Sequence, residues 1–210
     1  MRLAVLASEE QKKELLSCGG SDDCSIHWAT TQEELRVFAD ADAVMDLLFE
    51  ENNYSVSHLV DFFQKPVIVN CVNKATKETG IPATRVNGWS GFLQRSIAEV
   101  AGSIDKKNEV EKIFARLNRK VEWVEDEKGF ISARVVSMII NEAYFALEEK
   151  VSSKEEIDLA MKLGTNYPFG PFEWAKKIGV KNITALLSAL SAEENRYQPA
   201  GLLIKEANEL

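Results

Sequence analysis

Two histidines, His27 and His58, and three cysteines, Cys18, Cys24 and Cys71, are the side chains best suited to proton transfer, nucleophilic attack or metal ligation. His27 falls in the short apolar run from Cys24 to Trp28, and His58 falls beside Leu59 in a helical pattern. Both positions suit an imidazole with a structural or surface role. None of the five has metal-ligand spacing, so no metal is expected. An odd cysteine count without a CxxC pair fits reduced thiols and predicts a cytoplasmic protein. A second polar set, Arg134, Ser137 and Asn141, recurs at i, i+3 and i+7 on one helical stripe. Such a stripe lines a cleft, crosses a subunit interface or forms a polar seam between helices. Lys176, Lys177 and Lys181 make one basic cluster, suited to a phosphate or to the negative end of a helix dipole.

The elements that must carry these groups change character partway along the chain. Up to residue 127, strand and helix signals alternate: Leu3 to Ala7, then Glu9 to Ser17 behind a Ser8 cap, a weak strand at Ser25 to Trp28, and a capping box at Thr31 and Glu34. An apolar run follows at Ala43 to Phe49, then a helix capped by Ser55, a strand at Val67 to Val69, and a short strand at Arg85 to Asn87. Lys106 to Leu117 places Val110, Ile113, Phe114 and Leu117 on one helical face, and Val121 to Val124 reads as a last strand. Alternation of this kind predicts a mainly parallel sheet with helices on its faces.

The acidic turn Glu125-Asp126-Glu127 marks the expected boundary, giving domains 1–127 and 128–210. Beyond it the pattern is wholly helical. Ile131 to Glu149 is apolar on almost every side and therefore predicts a buried helix. Ser152 and Glu155 suggest a capping box closed by Gly164. Pro171 fits a first helical turn whose helix ends at Gly179, and Asn182 reads as the cap of a helix at Ile183 to Leu190.

A formal charge of −8 and a pI near 5.0 exclude a general nucleic-acid binder, because no basic stripe offsets phosphate repulsion. The apolar opening Leu3 to Ala7 is too short for a signal-peptide core. No run approaches membrane-spanning length.

Three pieces, GFISARVVSMIINEA, EEIDLAMKLG and YPFGPFEWAKKIG, resemble in order and spacing the C-terminal domain of the 3-hydroxyacyl-CoA dehydrogenase family, which includes the 3-hydroxybutyryl-CoA dehydrogenases. The resemblance covers most of Gly129 to Ala207 and extends more faintly into ELRVFADADAVMDLLFE, Thr84 to Gly88 and RSIAEVAGS. It implies a shortened Rossmann-like domain followed by an all-helical one, an NAD cofactor, an acyl-CoA ligand and a homodimer joined through the helical domain.

The same resemblance assigns sites. Ser90, in Trp89-Ser90-Gly91-Phe92, stands at the family's catalytic histidine position, and Glu99 aligns with the glutamate that orients it. Glu50 resembles the glutamate near the nicotinamide ribose; the stripe of Arg134, Ser137 and Asn141, a cleft lining, an interface crossing or a polar seam by its spacing, is not assigned by the resemblance. A serine hydroxyl is no base near neutral pH. The GxGxxG expected after the first strand reads Ala7-Ser8-Glu9-Glu10-Gln11-Lys12, with two carboxylates where phosphate oxygens would approach. One strand and one helix of the adenosine-binding half have no counterpart. The expectation is therefore a divergent relative of NAD-dependent 3-hydroxyacyl-CoA dehydrogenases with weak or absent turnover. The alternative is a noncatalytic acyl-CoA-binding or dimerising scaffold.

Overall fold

A computed structural model describes residues 1–209, which divide into two compact units, residues 1–130 and residues 131–209. The first unit is built on seven strands: β1 (Arg2–Leu6), β2 (Ser25–Ala29), β3 (Ala43–Asp46), β4 (Val67–Asn70), β5 (Thr84–Val86), β6 (Ile97–Gly102) and β7 (Lys120–Trp123). Their order is β2-β1-β3-β4-β5-β6-β7, and every neighbouring pair is parallel except β5 with β6. The chain leaves β1 in one direction to form β2 and in the other to form β3. The carboxyl ends of β1 and β3 are thus a topological switch point, the place where open α/β sheets bind ligands.

Period-two alternation explains the layers. Leu3 and Val5 point to one face of the sheet, where they meet Leu15 of α1 (Glu9–Leu16) and Val110, Ile113 and Phe114 of α4 (Lys107–Arg116), which follows the single turn α3 (Thr76–Thr79). Ala4 and Leu6 point to the other, among Leu35 of α2 (Gln32–Val37), Phe49, Leu59 and Phe62. Each fully buried Leu or Val stabilises by about 1.5–3 kcal/mol, so a one-residue slip of β1 would be strongly disfavoured.

The second unit contains α5 (Ser132–Glu148), α6 (Lys154–Thr165), α7 (Pro171–Ile178), α8 (Val180–Ser191) and α9 (Gly201–Glu209), with α5 packed against α7, α8 and α9. Tyr144 of α5 meets Phe172 of α7 edge-on, with ring centroids 5.0 Å apart. No helix among the described residues is long and apolar enough to cross a membrane.

Several local expectations need correction. The capping box of α6 is Ser153 with Glu156, one residue later than expected, and Asn166 in the left-handed region, not Gly164, closes that helix. Asn182 lies inside α8, where its amide donates to the Ile178 carbonyl at 2.9 Å. The segment after Ser55 forms only a short 3-10 turn at Val60–Phe62, with Phe62 and the preceding Leu59 buried in the core. Nor is α5 buried all round: Val135 remains 50% exposed, on the flank that α7, α8 and α9 leave open.

Candidate functional site

The sheet's switch point gathers four loops, those after β1, β3, β4 and β5. After β1 the chain turns at Ser8, whose hydroxyl accepts the Gln11 N–H at 3.2 Å while the Gln11 carboxamide accepts the Ser8 N–H at 3.0 Å. This capping box consumes two of the amides that a pyrophosphate would need at the start of α1. The Gln11 carboxamide also donates to the Leu47 carbonyl at 2.8 Å, bridging β1's exit to β3's exit across the switch point. Asn70, at the end of β4, donates to the same carbonyl at 3.2 Å and accepts the Gly88 N–H at 3.0 Å. A Cβ on Gly88 would lie 2.9 Å from the Asn70 side chain, which explains the glycine there.

The turn carrying Ser90 is held from two sides. Glu14 of α1, buried, accepts the Gly91 N–H through its two carboxylate oxygens at 2.7 and 2.8 Å. From the other side the Trp89 indole donates to Glu50 at 3.1 Å. Glu50 also accepts the Val72 and Asn73 N–H groups at 2.8 and 2.6 Å, so its carboxylate knits together the loops after β3, β4 and β5. Burial raises the Glu50 pKa above the usual carboxylate range, and these hydrogen bonds pull against that rise. The neighbouring Cys71 thiol is pushed up to about 12, chiefly by burial and then by Glu50, which removes it as a nucleophile near neutral pH.

Glu99 lies on β6 beside the exit of β5 and accepts the Asn87 amide at 3.3 Å. The structure thus brings Glu50, Trp89, Ser90, Asn87 and Glu99 to one rim. Among the described residues no histidine joins them. His58 lies instead beneath the loop after β3, its Nε2 2.7 Å from Asp46 Oδ2, with 1% of His58 and none of Asp46 exposed. Burial raises the Asp46 pKa, and the imidazole contact opposes that shift. Asp46 also accepts the Leu48 N–H at 2.9 Å, so the pair fastens the loop start to the strand it leaves. His27 lies on β2, with its ring centroid 5.1 Å from that of Phe38.

In the second unit the stripe of Arg134, Ser137 and Asn141 faces the segment that precedes α9. Asn141 donates to the Gln198 carbonyl at 2.9 Å and accepts the Ala200 N–H at 2.8 Å. The Arg134 guanidinium lies 5.7 Å from the centroid of the Tyr197 ring, and Ser137 is fully buried. The GPFE motif has its own device. Asp158 of α6 accepts the Phe172 and Glu173 N–H groups at 2.8 and 3.2 Å, capping α7 from a neighbouring helix.

Glu14, Gln11, Asp46 and Asp158 escaped the reading of the sequence. Gln11 carried a signal, since Ser8 and Gln11 have S-x-x-Q spacing. The other three are single carboxylates, and the partners that matter lie 77 residues on for Glu14, 12 for Asp46 and 14 for Asp158.

Residues 129–209 match the C-terminal domain of 3-hydroxyacyl-CoA dehydrogenase as a protein family. Among curated proteins, the chain is 44% identical over 86 residues to a 3-hydroxyadipyl-CoA dehydrogenase of Escherichia coli, an alignment covering 40% of this chain and 18% of that protein. It is 38% identical over 115 residues to a 3-hydroxybutyryl-CoA dehydrogenase of Bradyrhizobium diazoefficiens, covering 54% of this chain and 38% of that one. The matches thus span less than half the length of either relative. Among solved structures, a (S)-3-hydroxybutyryl-CoA dehydrogenase from Ralstonia eutropha superposes with a TM-score of 0.73 at 17% identity, covering 97% of this chain and 92% of that one, a likeness of fold. The helical unit thus matches the C-terminal domain of the 3-hydroxyacyl-CoA dehydrogenase family, and it follows a mostly parallel Rossmann-like sheet.

Proposed function

We propose that this chain is a divergent 3-hydroxyacyl-CoA dehydrogenase relative that oxidises a 3-hydroxyacyl thioester with NAD weakly or not at all. The observation that carries this reading is the bridge from Gln11 to Leu47, built on a capping box that already uses the amides at the start of α1. With Glu9 and Glu10 in the same first turn, the residues present do not fit a dinucleotide pyrophosphate. Ser90, at the family's histidine position, supplies no base, and Glu99 turns to Asn87. An assay with 3-hydroxybutyryl-CoA and NAD, run beside calorimetric titration with NAD, tests the reading. Negligible turnover and no NAD heat are expected. Turnover at ordinary enzymatic rates of about 1 per second or more would overturn it.

The second reading is a noncatalytic acyl-CoA-binding protein or a scaffold that dimerises through the helical unit. It is supported by large apolar side chains left open on α5 and α6, Val135 at 50%, Leu159 at 54% and Leu163 at 78% exposure. A small apolar hollow lined by Val136, Ile139, Met161, Tyr167 and Trp174 adds to it. Calorimetric heat with an acyl-CoA but not with NAD, or a dimer mass lost on Leu163→Glu, favours this second reading.

A further inference from the structure

The two edges of the sheet differ in how they are guarded. At one edge, β7 carries exposed Lys120 and Glu122, charges of the kind that discourage an added strand. At the other, β2 reads Ser-Ile-His-Trp-Ala, with no charge and no proline, and is paired on one side only. Ser25 donates its N–H to Met1 and Ala29 accepts from Ala7, which turns residues 25, 27 and 29 toward β1. Alternation then directs the N–H and C=O groups of Ile26 and Trp28 outward.

The window closes at both ends. The Cys24 N–H is used within its own turn by the Ser21 carbonyl at 3.0 Å, and the Thr30 N–H by the Glu34 carboxylate at 2.8 Å. What stays open is a three-residue stretch with one outward residue on each side of His27. That stretch is complementary to itself. Laid antiparallel against its own copy, Ile26 faces Trp28 twice, and each pair exchanges two N–H···O=C bonds. His27 faces His27 across the axis as a non-hydrogen-bonded pair.

We propose that the outer edge of β2 is a self-association surface, on which β2 of a second copy adds antiparallel about a two-fold axis through His27. Charge favours this occupant. The chain carries a net −8, yet the window is uncharged, and the register directs Asp22 and Asp23 toward Gln32 and Thr31 instead of toward Glu33 and Glu34. The surface belongs to the first unit and is independent of any contact made by the helical one.

The test is register-specific cross-linking of the full chain. In a background of Cys18→Ser and Cys24→Ser, His27→Cys sets the two new thiols opposite each other, and mild oxidation is expected to give a covalent dimer on a non-reducing gel. Ser25→Cys faces Ala29 in this register, so that variant is expected to stay monomeric on the same gel. No dimer from His27→Cys, or equal cross-linking at both positions, overturns the proposal. In solution, His27→Lys places like charges across the axis and is expected to lower the mass from light scattering at least twofold. Ile26→Pro removes only an outward N–H, and the same fall in mass is expected of it. An unchanged mass in both variants overturns the proposal.

Discussion

The Glu14 carboxylate accepts the Gly91 N–H at 2.7 and 2.8 Å, fastening α1 to the turn that follows β5. The pairing is buried, so its loss leaves a donor with neither protein nor water. Glu14→Ala is expected to cost on the order of 1–3 kcal/mol, a fall in Tm of roughly 2–4 °C per kcal/mol. Hydrogen exchange at the Gly91 amide is the direct readout: its protection should fall more than that of the core amides of β1. Equal protection in variant and parent would mean that Glu14 does not hold the turn.

Because that turn is held, restoring an imidazole should not restore chemistry. Ser90→His supplies the residue type expected at that position, but the bridge from Gln11 to Leu47 still spans the switch point. The expected outcome is no gain in NADH formation from 3-hydroxybutyryl-CoA beyond about twofold, well below the ~10²-fold or more that a positioned general base contributes. A hundredfold gain would show that the missing imidazole was the whole obstacle.

Glu50 offers a pH signature. Burial raises its pKa in the folded chain, so folding favours its protonated form. That contribution is fully present below the ordinary carboxylate range and is withdrawn as pH rises through the raised value. Glu50→Gln keeps an acceptor for the Val72 and Asn73 N–H groups but carries no charge to bury. Urea unfolding between pH 4 and pH 8 should show the variant gaining on the parent as pH rises. The reverse trend would mean that the hydrogen bonds outweigh burial.

The sheet was legible because its signals are local. Leu3 to Leu6 is apolar on both faces, and the Ser8 and Thr31 caps lie within four residues of the groups they serve. The helical unit was legible through the spacing of its motifs, although Ser153 and Asn166 displaced the expected caps by one or two residues. What stayed hidden depends on pairs far apart in sequence. Glu14 and Gly91 are separated by 77 residues, and Asp46 gives no hint that a histidine 12 residues on will be its partner. Glu50's role in fastening loops was hidden for the same reason, since Val72 and Trp89 lie 22 and 39 residues away along the chain.

Arg85 shows the same dependence on distant partners. Its buried guanidinium donates to Asp126 at 2.7 Å, to the Cys71 and Lys74 carbonyls at 2.9 and 2.5 Å, and to the Glu127 carbonyl at 2.9 Å. The guanidinium carbon also lies 4.7 Å from the Phe130 ring centroid. A lysine has no planar fork with which to reach these groups. Arg85→Lys is expected to destabilise by about 3 kcal/mol, with the partly exposed Asp126 left to the Thr76 N–H that it also accepts. Chemical denaturation of both variants in parallel checks this: Arg85→Lys should cost clearly more than Asp126→Asn.

Gly170 opens α7 at an ordinary φ of −70°, so its backbone alone would accept an alanine. The obstacle is Asp158. A Cβ at residue 170 would lie 2.4 Å from the Asp158 Cβ, Cγ and Oδ1, the side chain that caps the Phe172 and Glu173 amides. Gly170→Ala must therefore push that carboxylate away, and the lost cap alone is worth about 0.5–2 kcal/mol. Asp158→Gly removes the cap and adds about 1 kcal/mol of helix propensity cost in α6. In that background nothing remains for the new methyl group to strike, so Gly170→Ala should become nearly neutral. A coupling energy of about 1 kcal/mol or more in the double-mutant cycle is the expected result. Additive costs would place the role of the glycine elsewhere than in its contact with Asp158.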